Sequence, residues 1–363
     1  MLKSPRKPSW RCCALGRSKI ATASSRGNWK RILPGLIISV VALVIVFRML
    51  DPKKFVLAVQ QANPTFLFLG LLTEILWLIV RGFFWRTLLQ KKASYRDAFI
   101  TVNEGYLLNN ILPLRLGEIG RAFLIGRKAH IDFWQVIPSI IIERALDLAF
   151  AAGIFLSTLP FVIGVSWARE AAITIAFIVV VGLLGIYILA RNRQRVLGWI
   201  ERLAQRSSMV LKLTGKRVIA FFDGLAIITD SRLFLEALGW ETLNWLVAVL
   251  QYYLFLRAFF PSPGLLGVLF ALGVGALGVA APSSPGALGV FEAALVVALT
   301  GTGVNAATAT AFALSVHITS YVLTSLIGGY GLYKDGESLS GMYTRLGKMK
   351  TEGEPEHPAD GNI

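Results

Sequence analysis

The chain has 363 residues, 55% of them hydrophobic and only 16% charged, with a mean hydropathy of +0.62. Soluble domains carry about 25% charged residues, so this composition excludes a soluble globular protein and points to a polytopic membrane protein. The formal net charge of +16 does not indicate nucleic-acid binding, because the cations gather beside apolar stretches: residues 1–31 hold nine Lys/Arg and no acid, and residues 191–232 hold nine against Glu201, Asp223 and Asp230. Such runs follow from the positive-inside rule and from attraction to anionic headgroups.

Residues 1–31 read as a basic cytoplasmic leader. They lack the apolar core and small-residue cleavage site of a secretory signal. Cys12 and Cys13 are neighbours there, which gives no disulfide framework. Residues 32–47 form a first span, and 51–64 a polar connection ending in Asn63-Pro64, a helix-start signal. Residues 66–80 form the second span; Arg81, Arg86, Lys91, Lys92 and Arg96 follow it and mark its end as cytoplasmic.

Residues 98–124 begin at a basic loop and end at Arg127-Lys128, so both ends belong on one side of the membrane. An apolar segment of that kind, broken by Gly and Pro, predicts a re-entrant helical hairpin. Residues 136–165 and 171–190 cross and return, and 191–232 predict basic amphipathic helices (196–213 and 216–228) on the membrane surface. Residues 234–260 cross outward. Residues 265–281 and 286–300, broken at 282–285, make a second hairpin entered from the opposite face. Residues 308–333 bring the chain back, and 335–363 read as a solvated cytoplasmic tail. The expected fold is all-α: about six spans plus two inverted re-entrant hairpins in one membrane domain, 32–334, within a cell membrane and with both termini cytoplasmic.

The two hairpins share a skeleton. PLRLGEIG from Pro113 and PSSPGALG from Pro282 are both Pro-x-x-x-Gly-x-x-Gly, 169 residues apart. Paired Gly/Pro-interrupted apolar segments in matching positions of two halves point to a transport site.

Three groups of residues are candidates for that site. Arg115, Glu118 and Arg121 recur at i, i+3 and i+6 after Pro113, with Gly117 and Gly120 between them. On one helix face they form either an anion-binding stripe, with arginine forks suited to phosphate, or a self-neutralising cluster that anchors the hairpin. Glu143, Arg144 and Asp147 lie mid-helix in IIIERALDLAF. Arg144 is placed to pair with Asp147, which leaves Glu143 seeking Arg115 or Arg121; an internal ion-pair staple is the alternative. Glu292, in GVFEAALVVAL, has no basic residue on its own helix. An intramembrane carboxylate of this kind is a site candidate by default. It could read a cationic headgroup, titrate with a proton, or pair with Arg257 or His317, and Pro282, Pro285, Gly286 and Gly289 expose backbone beside it. Glu74, Glu104, Glu236 and Glu241 are weaker candidates, the last two placed at an interface. No nucleophile–base set, nucleotide loop or metal-ligand spacing is present, and His130, His317 and His357 are scattered. Neither enzymatic activity nor a cofactor or metal is expected.

LPLRLGEIGRAFLI, ERALDL and PSSPGALGVFEAALVVAL, in that order, resemble the flippase-like membrane family that shares its fold with the transmembrane region of lysylphosphatidylglycerol synthase (multiple peptide resistance factor). The UPF0104 membrane proteins are members too. The resemblance runs from about Ile32 to Tyr333. It implies a protein that binds or moves phospholipids or lipid-linked molecules between leaflets, with membrane lipids of anionic headgroup as partners. The matching positions are Pro113, Arg115, Gly117, Glu118, Arg121, Glu143, Arg144, Asp147, Pro282, Gly286, Gly289 and Glu292. His317 stands where the resemblance implies an arginine. Because the chain ends some thirty residues after its last span, the synthase activity is not carried over. An accessory subunit beside an envelope-synthesis enzyme, or a transferase using a lipid-linked donor, are the competing expectations. Oligomeric state is not readable.

Overall fold

The structure, a computed structural model, describes residues 51–112, 115–162, 166–204, 208–280, 284–339 and 341–342, with scattered positions between 37 and 48. The leader, most of the expected first span, Pro113, Pro282 and the chain beyond 342 lie outside the described residues.

Among the described residues from 51 onward, twelve helices run in chain order: α1 Pro52–Gln60, α2 Pro64–Leu88, α3 Tyr95–Ile111, α4 Leu116–Ala129, α5 Phe133–Val162, α6 Ser166–Arg191, α7 Arg193–Ala204, α8 Ser208–Thr229, α9 Ser231–Phe259, α10 Leu265–Ala280, α11 Val290–Gly301 and α12 Ala306–Lys334. No strand occurs among the described residues. The all-α polytopic architecture is as expected. α2, α5, α9 and α12 are apolar and 25 to 30 residues long; at 1.5 Å per residue they reach roughly 37 to 45 Å, enough to cross a hydrocarbon core of about 30 Å. α3, α4, α10 and α11, at 17, 14, 16 and 12 residues, are too short to cross upright.

Local chemistry sets these boundaries. Asn63 accepts from the Thr65 amide with Pro64 in the first turn, and Asp230 accepts from the Arg232 and Leu233 amides to start α9. Asn305 caps α12 through the Thr308 amide. The polar connection at 51–64 contains the unpredicted α1, begun by Asp51 and Pro52. α8 falls within the 191–232 segment expected at the membrane surface. It packs on α5, with Phe222, Leu225 and Ile227 buried and Gly224 set directly against the Gln135 carbonyl. The residues just after α12 also differ from a solvated tail: Lys128 Nζ lies 2.7 Å from Asp335, Arg127 pairs with Glu337, and Met342 is buried among Leu107, Leu108 and Leu112.

The core is an inverted repeat. Each half consists of a long helix, a broken hairpin and a second long helix: α2, α3–α4, α5, then α9, α10–α11, α12. The two leading helices pair antiparallel. Arg81 meets Glu241, Glu74 meets Gln251, and the Asn63 amide meets the Ala258 carbonyl at 2.8 Å. Matching elements that run in opposite directions define inverted topology. The packing is also exchanged between halves. α3 lies on α12 and α10 lies on α5, so each hairpin's first arm rests on the long helix that follows the other hairpin. Glycines allow both approaches: a Cβ at Gly273 of α10 would lie 2.9 Å from the Phe155 amide nitrogen of α5, and Gly328 of α12 sits directly on the Asn103 carbonyl of α3.

The repeat holds two registers. Ile111 and Ala280, which close the first arms, are 169 residues apart, but Leu116 and Val290, which open the second arms, are 174 apart. The second break is longer and contains a 3-10 turn, Pro285–Ala287.

Candidate functional site

The site grows from one cation. Arg81 lies inside α2, packed against Trp77 and Phe84 (5.8 and 5.3 Å from the ring centres). Its guanidinium grips Asp147 with both Nη atoms (2.8 and 2.6 Å), donates to Glu143 at 2.5 Å and lies 3.5 Å from Glu241. From α4, Arg121 forks onto both Glu143 oxygens (3.1 and 2.5 Å) over the Trp85 ring. Arg144 donates to Glu143 at 2.5 Å and lies 3.1 Å from Asp147 and 3.7 Å from Glu118. Glu143 thus receives three guanidinium groups. Trp245 Nε1 donates to Glu241 at 2.8 Å. Three arginines face three carboxylates, with Glu118 and Arg115 as an outer pair at 4.0 Å.

Burial grades across the cluster. The Glu143 and Glu241 side chains are 0% exposed, whereas those of Arg144 and Arg115 are 35% and 38% exposed. The open end adjoins a crevice of about 10 Å³, room for roughly one water molecule, lined by Tyr106, Asn109, Glu118, Arg121 and Arg144 among others. Sealed ion pairs need several compensating bonds to offset desolvation, which Glu143 and Arg81 have. The outer charges carry fewer bonds and face outward.

Arg115 joins the two breaks. Its backbone is left-handed (φ 53°, ψ 37°) at the start of α4, and its Nη2 donates to the Val279 carbonyl near the end of α10. The Tyr321 hydroxyl donates to the Asn110 carbonyl at 2.6 Å, and the 3-10 turn packs on α3. Within the first break, the Gly117 amide donates to Asn109 Oδ1 at 2.9 Å, and a Cβ at Gly117 would strike the Gly105 carbonyl. In the second, Gly286 has φ +65° beneath the Tyr321 ring. Glu292 accepts from the Gly289 amide at 2.8 Å and lies 2.5 Å from His317 Nδ1, whose ring is edged by Phe291 and Tyr321.

Several expected partners meet: Glu143 with Arg121, Arg144 with Asp147, and Glu292 with His317. Others do not. Arg115 reaches Val279 rather than Glu143, because it precedes α4 and turns the other way. The stripe of Arg115, Glu118 and Arg121 is therefore not one helical face. Arg257 lies over Phe66 and not at Glu292. Arg81 and Glu241, read as interface residues, sit at the buried centre. The available signal was Arg81 itself, a cation enclosed by Ile79, Val80, Gly82 and Phe83, with too few local cations for the acids of α5. Among the described residues no cluster of metal-ligating side chains occurs.

This fold and site define a polytopic membrane protein with an inverted repeat and a central ion cluster where two broken helices meet. The chain belongs to the family described as the lysylphosphatidylglycerol synthase TM region, which it matches over residues 32–328. It is 25% identical to glycosyltransferase AglD of Haloferax volcanii over 338 residues, 83% of this chain and 53% of that protein. It is 26% identical over 305 residues to a UPF0104 membrane protein of Methanothermobacter thermautotrophicus (80% and 89%). A UPF0104 membrane protein of Methanocaldococcus jannaschii is 27% identical over 134 residues (36% and 39%). The chain thus spans about half of the glycosyltransferase relative.

Proposed function

We propose that this protein binds the headgroup of a phospholipid or lipid-linked molecule and carries it between leaflets, without itself making or breaking a covalent bond. The observation that supports this is the graded cluster. Its inner charges are bonded to one another, while Arg115 and Glu118 at the joined breaks share only a 4.0 Å contact and, like Arg144, are partly exposed. Arginine forks suit phosphate, and Glu118 suits a positive group on the same headgroup. The acyl or isoprenoid tails would stay in the bilayer.

A second reading, an accessory subunit beside a lipid or glycan synthase, draws on the glycosyltransferase-named relative, which shares this region over only about half its length. Proteoliposomes test both. Leaflet-specific quenching of labelled phospholipids should show movement with the wild type and little with Arg115→Ala. No movement with several headgroups from folded protein, together with stable co-purification of a synthase, would replace transport with the accessory role.

A further inference from the structure

The two hairpins carry equivalent ion pairs that differ in one chemical respect. Glu118 is the third residue of α4 and Glu292 the third of α11, 174 residues apart like the helices themselves. Each leans on a base from the following long helix: Arg144 of α5 for Glu118, His317 of α12 for Glu292. His317 falls at the register position of Glu143, one residue before that of Arg144. The residues that open the two arms match as well, Arg115 and Gly289 both having positive φ (53° and 83°). A guanidinium keeps its charge at every physiological pH, whereas an imidazole gains and loses it there.

The first hairpin is held by permanent charge, through Arg121 on Glu143 and Arg144 beside Glu118. The second arm of the second hairpin has one ionic tie to α12, the 2.5 Å contact of Glu292 with His317. Several ionisable groups on the surrounding elements are engaged elsewhere. α10 carries none. On α2, Glu74 is bonded by Gln251, and on α9 Tyr252 packs on Phe312 while Arg257 lies over Phe66. On α3, Glu104 is bonded by Lys128; on α12, Tyr321 donates to Asn110; at the breaks, Arg115 reaches Val279. Lys54, on the short α1 that also touches α12, pairs with Asp51.

We infer that Glu292 and His317 form a proton-binding latch on the second hairpin. With His317 protonated, the ion pair holds α11 and the 3-10 turn against α12. Without that proton the ion pair is reduced to a single hydrogen bond between neutral imidazole and the carboxylate, and the turn is free to part from Tyr321 and α3. The second hairpin then moves while the first stays fixed. This concerns the hairpin's motion and does not depend on which molecule, if any, crosses.

The test reads motion directly. In full-length protein in nanodiscs, with Cys12 and Cys13 changed to serine, Ala287→Cys places a thiol in the turn, where Ala287 is buried, and Leu288→Cys gives an exposed reference. The ratio of their modification rates by a methanethiosulfonate reagent divides out the pH dependence of thiol ionisation that the two positions share. Between pH 5.5 and 8 the ratio should rise about tenfold. Adding His317→Arg should hold it low at both pH values, and adding Glu292→Gln should hold it high. A ratio flat with pH in the otherwise unaltered latch, or an unchanged pH response with His317→Arg, would overturn the inference. The series with the latch intact needs neither substitution to fold.

Discussion

Arg81→Met removes the cation shared by three carboxylates while keeping most of the side-chain volume. Glu143 retains Arg121 and Arg144, and Asp147 retains Arg144 at 3.1 Å, but Glu241, fully buried, loses its one cation and keeps Trp245 Nε1 beside the Asp147 carboxyl. Breaking a buried pair from one side costs about 3–5 kcal/mol, because the partner charge is left uncompensated. At roughly 2 °C per kcal/mol for a chain of this size, the unfolding midpoint should fall by on the order of 10 °C. Fluorescence-detected thermal unfolding in a mild detergent measures it. The double variant Arg81→Met/Glu241→Gln leaves two arginines facing two acids and should recover a large part of the loss. A single variant within 2–3 °C of wild type, or a double variant as unstable as the single, would refute a cluster held by charge balance.

Two further outcomes follow from the geometry. Arg115 has a left-handed backbone, so Arg115→Gly should fold at least as well as Arg115→Ala, by about 1 kcal/mol. Both should lose lipid movement equally in proteoliposomes; activity retained in either would remove the guanidinium from the path. Gly328 touches the Asn103 carbonyl, whereas a Cβ at Gly329 meets nothing within 4 Å. Gly328→Ala should therefore lower the unfolding midpoint by several degrees, through about 1–3 kcal/mol of overpacking, and Gly329→Ala should hold or raise it.

Much of the architecture was legible because bilayer physics leaves few options: apolar length marks the spans, and Gly and Pro mark the breaks. The 169-residue offset is also real, but only for the first arms. The second arms follow 174, since the longer break of the second hairpin accommodates the 3-10 turn, and the matching Pro-x-x-x-Gly-x-x-Gly skeletons conceal that shift. The site was legible where partners lie on neighbouring elements, as for Glu143 with Arg121. It was not legible for Arg81 and Glu241, whose pairing depends on α2 and α9 running antiparallel. A cation near a span's end reads as snorkelling toward headgroups unless the neighbouring helix is known. Arg115 was misdirected for another reason: a left-handed residue before a helix aims its side chain off the face that the helical period assigns.

The exchanged packing has a consequence for synthesis. Asn110 of α3 bonds Thr324 of α12 across 214 residues of chain, so the first hairpin emerges from the ribosome long before its support exists. Until α12 is inserted, Asn103, Glu104 and Lys128 have no counterpart on that side, and the broken arms must be tolerated by lipid or by an insertase. Closure of so distant a contact is slow and exposes intermediates to misassembly. A truncation that removes α12 should therefore strand a hairpin made two hundred residues earlier, and quality control would meet the defect in the half that was left intact.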